Sequence, residues 1–230
     1  MGVDPLRFSE VGYSRAQSDF GGFNNTPNYT SKMGFAALKA DGSIMAWGNS
    51  YFGRKKAPTD SGYTKIYSNQ YAFAALRADG SITMWGDLND TNTPMPTDKG
   101  YTKIYSTANA FAALTPDGSI KAWGDSGSGG ANAPAGSGYT KIYSNTFAFA
   151  ALTHDGSIKA WGDPTRGGAN APDGSGYTKI YSTWRSFAAL KADSSIKVWG
   201  SSISGGADAP TDKGYTKIYS PHAQNCAVDM

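Results

Sequence analysis

Two histidines and one cysteine are the residues of this 230-residue chain best suited to acid–base or nucleophilic chemistry. His154 lies beside an Asp-Gly turn, His222 lies in a loop near the C-terminus, and neither has a partner in a related position. Together with Cys226 they are too few for the usual zinc ligand set. Asp41, Asp79, Asp117, Asp155 and Asp193 recur at a fixed step, but each precedes Gly or Ser in a turn, where aspartate serves local hydrogen bonding. Asp87, Asp125 and Asp163 follow Trp-Gly without the spaced carboxylates of a calcium loop. The stretch Gly127–Gly130 lacks the Lys-Ser/Thr of a phosphate loop. The expectation is a protein that is not an enzyme, with no cofactor and no metal site.

The remaining candidates for chemistry are aromatic, and their spacing is regular. Trp47, Trp85, Trp123, Trp161 and Trp199, each followed by Gly, stand 38 residues apart. Phe-Ala-Ala-Leu keeps the same step from Phe35, Phe73, Phe111, Phe149 and Phe187, and Tyr-Thr-Lys-Ile-Tyr-Ser keeps it from Tyr63, Tyr101, Tyr139, Tyr177 and Tyr215. A fixed period in this range marks a repeat architecture. The tryptophans could line sugar pockets, but their place at the end of one segment in every unit suits packing between units better.

Each unit reads as three short strands. Tyr-Thr-Lys-Ile-Tyr-Ser (strand A) has the period-two alternation of a strand. Phe-Ala-Ala-Leu (strand B) and Ser-Ile-x-Ala-Trp (strand C) flank Asp-Gly, a short hairpin signal that favours positive φ. A stretch rich in Gly, Ala, Asn and Pro, such as 125–138, then crosses to the next unit. Three short strands are not stable alone, and radial packing into a β-propeller protects their edges. Five full repeats span about 31–220. After them come a further strand A at 215–220 and a worn strand B at Cys226-Ala227-Val228. Residues 8–14 resemble a degraded strand C. We therefore expect an all-β, six-bladed propeller of 38-residue, three-stranded blades, forming one domain over 1–230. Its last blade would be closed by N- and C-terminal strands, from about 8–14 and 215–230.

Phe149 to Gly162, FAALTHDGSIKAWG, followed by a Gly-rich loop and Ala-Pro, resembles the RCC1-type repeat. The short unit is most similar to the bacterial branch typified by the β-lactamase inhibitor protein BLIP-II. The resemblance implies a propeller that uses one face to bind another protein. No functional residue carries over from it.

Differences between units point to a face. Residues 107–144 and 145–182 differ at eight positions. Three are Thr107/Asn145, Ala108/Thr146 and Asn109/Phe147, between strands A and B; three are Ser126/Pro164, Gly127/Thr165 and Ser128/Arg166, after Trp-Gly. If strand A runs up, both segments lie at the top and the Asp-Gly turn at the bottom. The expected partner-binding residues are Tyr51, Phe52, Arg54, Gln70, Tyr71, Phe147, Arg166, Trp184, Arg185 and His222. Aromatic residues and arginine are the types that dominate binding hot spots. The expected function is recognition of a protein partner by this rim, in an adhesin-, inhibitor- or toxin-associated module. The alternative is a multivalent lectin with Trp/Tyr sites repeated between blades.

A net charge of +3 with scattered basic residues gives no nucleic-acid footprint. Residues 1–8 have no apolar core of a signal peptide, and nothing approaches a membrane span. The low-charge, polar composition, with 17% charged residues, favours an extracellular or cell-surface setting without assigning a compartment.

Overall fold

The computed structural model describes residues 34–50, 57–87 and 93–220. These form antiparallel sheets from fourteen strands in chain order. The first sheet pairs β1 (Gly34–Leu38) with β2 (Ile44–Gly48). Four three-stranded sheets follow: β3 (Tyr63–Ser68), β4 (Ala72–Arg77) and β5 (Ile82–Gly86); β6 (Lys103–Ser106), β7 (Ala110–Leu114) and β8 (Ile120–Gly124); β9 (Tyr139–Ser144), β10 (Ala148–Thr153) and β11 (Ile158–Gly162); β12 (Tyr177–Ser182), β13 (Ser186–Lys191) and β14 (Ile196–Gly200). In each, the B-type strand is central, with A and C on its flanks. The three-strand reading of the unit therefore holds. The anticipated strand A at 215–220 is not part of a sheet among the described residues. Ser220 nevertheless donates to the Ser182 carbonyl at 3.2 Å, as Ser106 does to Ser68 at 2.8 Å, so its end occupies the strand A position. The calls on 8–14 and 226–228 lie outside the described residues.

The repeated letters have separate duties. Register pairs Phe with Trp across strands B and C, as in Phe111↔Trp123, and the rings stack at 5.6 Å there and at 5.1 Å for Phe149–Trp161. The constant Thr of strand A sits at a register shift in three of the four sheets. Its hydroxyl donates to the carbonyl of the strand B leucine, for example Thr140 to Leu152 at 3.0 Å. In the third unit the Leu114 carbonyl accepts from both the Thr102 amide at 2.8 Å and the Thr102 hydroxyl at 3.0 Å, so backbone and side chain converge on one acceptor.

Most of the hydrophobic core lies between the sheets. One cluster joins Tyr67, Ala72, Ala74, Leu76 and Ile82 of one sheet to Tyr101, Ile104, Phe111, Ala113 and Trp123 of the next. The same sets recur one and two units later. Each blade thus offers a Tyr/Ala/Leu/Ile face forward and a Tyr/Ile/Phe/Ala/Trp face backward. The alanines of strand B let the faces approach closely. Trp85 and Trp123 are wholly buried, and Trp161 donates its Nε1–H to the Gly129 carbonyl of the preceding unit at 3.0 Å. The first sheet has no blade behind it among the described residues, and there Phe35 and Trp47 are 65% and 47% exposed. The same residue types are buried or bare according to whether a neighbour is present.

Candidate recognition rim

At the lower rim, the Asp-Gly turn is closed by its own side chains. Asp117 accepts from the Ser119 amide and hydroxyl and from the Thr115 hydroxyl. Those bonds, led by Thr115, hold its carboxyl below the ordinary value. Gly118 has φ +82°, and a Cβ there would lie 2.5 Å from the Tyr139 backbone, where the next blade begins. The carbonyl of Gly118 accepts from the Tyr139 amide, which ties the turn to the following strand A. Turn chemistry accounts for this aspartate ring.

At the upper rim, the two variable segments meet. Thr107 donates to the Ser128 carbonyl at 2.9 Å, Asn145 to the Arg166 carbonyl at 2.6 Å, and Thr183 to the Ser204 carbonyl at 2.8 Å. These carbonyls end single 3-10 turns, Ser126–Ser128, Pro164–Arg166 and Ser202–Ser204. Where a plain crossing loop was expected, the chain makes a compact turn with left-handed Gly at its end. The expectation that both segments share one rim holds.

Among the described residues, the first position of the A–B triplet is turned inward in the second, third and fourth units and is half-buried in the fifth, so variation there does not mark a contact. Asn69, Thr107 and Asn145 are buried. Asn145 Oδ1 accepts from the amides of Phe147 and Ala148, both at 2.8 Å, so it caps the loop from within. The signal was present in the sequence: Asn69, Thr107, Asn145 and Thr183 are all residues whose short polar side chains bond nearby backbone. The middle residues are joined blade to blade by backbone hydrogen bonds. Gln70 N donates to Ala108 O, Ala108 N to Thr146 O, and Thr146 N to Trp184 O, at 3.1, 3.0 and 3.4 Å. Ala108 and Thr146 are themselves buried, Gln70 is half-buried, and Trp184 remains 45% exposed.

Four of the anticipated residues come together across the fourth and fifth units. Arg166 lies over the Phe147 ring at 4.2 Å. Trp184 faces Phe147 at 6.2 Å between centroids, and Arg185 lies over Trp184 at 3.8 Å. Arg166 is held by Asp163 at 2.6 Å. Partial burial acts to raise the Asp163 pKa, but hydrogen bonds from Thr165 and the charge of Arg166 outweigh it and keep the carboxyl below its usual range. Ile203, 86% exposed, tops the adjacent turn; it lies in the varied segment after Trp-Gly of the fifth unit but was not among the expected binding residues. Tyr71 is exposed two units away from Phe147 and stands apart from this cluster. Tyr51, Phe52, Arg54 and His222 lie outside the described residues.

No family model and no curated protein matches the chain. Solved structures do. It is similar to the ectodomain of the Physcomitrella patens receptor kinase CR4, at 18% identity and TM-score 0.53, over 75% of this chain and 49% of that one. It is also similar to the CRINKLY WD40 ectodomain of the Arabidopsis thaliana receptor kinase ACR4, at 18% identity and TM-score 0.52, over 80% and 65%. Human WBSCR16 matches at 15% identity and TM-score 0.50, over 76% and 61%.

The fold is a repeat β-propeller.

One of these neighbours is itself described as a WD40 ectodomain, and the chain spans between about half and two thirds of their lengths. At these identities the likeness concerns the propeller alone. No helix among the described residues is long and apolar enough to cross a membrane.

Proposed function

We propose that this propeller is a non-catalytic scaffold that binds a protein partner through its upper rim. The observation that carries this reading is the cluster of Phe147, Arg166, Trp184 and Arg185. These residues come from two blades, have no counterpart in the repeat pattern, and are of the types favoured at hot spots. The repeated tryptophans favour this reading over the lectin alternative, since Trp85, Trp123, Trp161 and Trp199 are consumed by packing between blades.

The proposal includes six blades, with the ends of the chain completing the last. The exposed Phe35 and Trp47 support it, because a sixth blade would bury both. It also places the chain in the short-repeat bacterial branch typified by BLIP-II, on the strength of the 38-residue unit. Expected use is as an adhesin-, inhibitor- or toxin-associated module.

The test compares the intact protein with the double variant Trp184→Ala, Arg185→Ala on arrays of proteins and glycans. Loss of a bound protein by the variant, with a melting temperature unchanged within about 0.5 kcal/mol of stability, supports the rim. Glycans retained equally by both forms would move binding to the constant framework.

A further inference from the structure

The upper rim carries a cation that lies against aromatic rings but is paired with no carboxylate among the described residues. In the second, third and fourth units Asp87, Asp125 and Asp163 follow Trp-Gly. Asp163 shows what this position does when a cation is near, since it neutralises Arg166 at 2.6 Å. In the fifth unit the aspartate is replaced by Ser201, and that is the unit where Arg185 appears. Ser201 meets Arg185 only through backbone, its amide donating to the Arg185 carbonyl at 3.0 Å. No carboxylate pairs with Arg185 among the described residues. Its Nε is buried without a hydrogen-bond partner. Lying over the Trp184 ring at 3.8 Å, the guanidinium has its face covered, so recognition must use the in-plane edge. A guanidinium edge offers parallel N–H donors that match a carboxylate. Trp184, 45% exposed, lies against it, and Ile203 is exposed on the turn that follows Ser201.

We propose that Arg185 is the charged anchor of this rim and receives an Asp or Glu side chain from a loop of the partner protein, while an apolar side chain next to it packs on Trp184. This rests on the protein-binding reading above and names the chemistry that the partner must bring. Arg166 does not compete for the acid, because Asp163 already occupies it. Association on such a charged rim should weaken with salt.

The experiment pans a displayed library of disulfide-constrained random loops against the intact protein. Each selected loop is measured against Trp184→Ala, Arg185→Gln and Arg185→Lys, and again after its acidic residue is changed to the amide. Melting curves confirm that all three variants are folded. The proposal expects an acidic residue beside an apolar one in the selected loops. It expects at least a tenfold loss with Arg185→Gln, a smaller loss with Arg185→Lys, and no further loss when the amide loop meets Arg185→Gln. Loops that need Trp184 but carry no acid, or that bind Arg185→Gln unchanged, would overturn the carboxylate anchor and leave the rim reading intact. Loops indifferent to both Trp184 and Arg185 would overturn both.

Discussion

The two rims of this propeller are loops of similar length held by opposite means. At the lower rim, side chains bond to their own turn and glycine admits the backbone of the next blade. The residues are thereby nearly invariant, as Asp117-Gly118 and Asp155-Gly156 show. At the upper rim, the tie between blades runs through amides and carbonyls at 70, 108, 146 and 184, which leaves the Trp184 side chain 45% exposed. Variation therefore marks a place where the backbone already does the joining. It does not by itself mark a binding residue, since Thr107 and Asn145 vary and are buried.

This contrast can be broken most forcefully between the rims. Trp123→Ala should cost about 3–5 kcal/mol, read as a lowered denaturation midpoint, because the ring is wholly buried between two blades. A cost below about 1 kcal/mol would show that the blades pack independently of their tryptophans.

At the lower rim, Gly118→Ala should cost about 1–3 kcal/mol, because the new Cβ meets backbone of the next blade at positive φ. The fifth unit offers the reverse test. Ser194 stands in the glycine position with φ +65°, and Ser194→Gly should be neutral or stabilising by up to about 1 kcal/mol in the same denaturation assay.

At the upper rim, Asn145→Ala should cost about 1–3 kcal/mol, since it strips the Phe147 and Ala148 amides of their acceptor and frees the Arg166 carbonyl. Because Phe147 and Arg166 lose their common support, partner binding should fall as well. Equal binding with lower stability would separate the cap from the recognition cluster.

The smallest effects at neutral pH come from titration, and they act on different parts. Burial pushes the Tyr143 hydroxyl up to about 12, above its unfolded value near 10. The folded state then holds the proton longer, so this contribution is complete below about pH 10 and is lost as pH rises towards 12. The turn carboxylates such as Asp117 are shifted down, so their contribution is present above the unfolded value near 4 and is lost as pH falls below it. Thermal melts across pH should show the core weakening on the alkaline side and the lower rim on the acid side. A Tyr143→Phe variant should make the alkaline limb shallower, with Tyr101, Tyr139 and Tyr177 supplying the rest, and leave the acid limb unchanged.

Much of this was legible because 38-residue periodicity supplies its own comparison. Strands, hairpin turns and the packing role of the tryptophans followed from residues that never change. The bulge at the strand A threonine was not legible, since Thr suits any strand and only the register shift reveals its bond to the leucine carbonyl. The pairing of Phe147 with Trp184 was hidden for another reason. These residues occupy different places in their units, and only the close approach of successive blades brings them to 6.2 Å.

The backbone ladder across 70, 108, 146 and 184 bears on how such a chain can change over generations. Its splices are made by backbone groups that every residue but proline at a donor position supplies, while the buried Ala108 and Thr146 restrict those positions to small side chains. Unequal recombination between units could thus shuffle whole loops from blade to blade with the joints intact, provided that each capping residue travels with the turn whose carbonyl it holds. Diversity would then be inherited in matched pairs of segments, and a single gene could try new surfaces without first having to relearn how to fold.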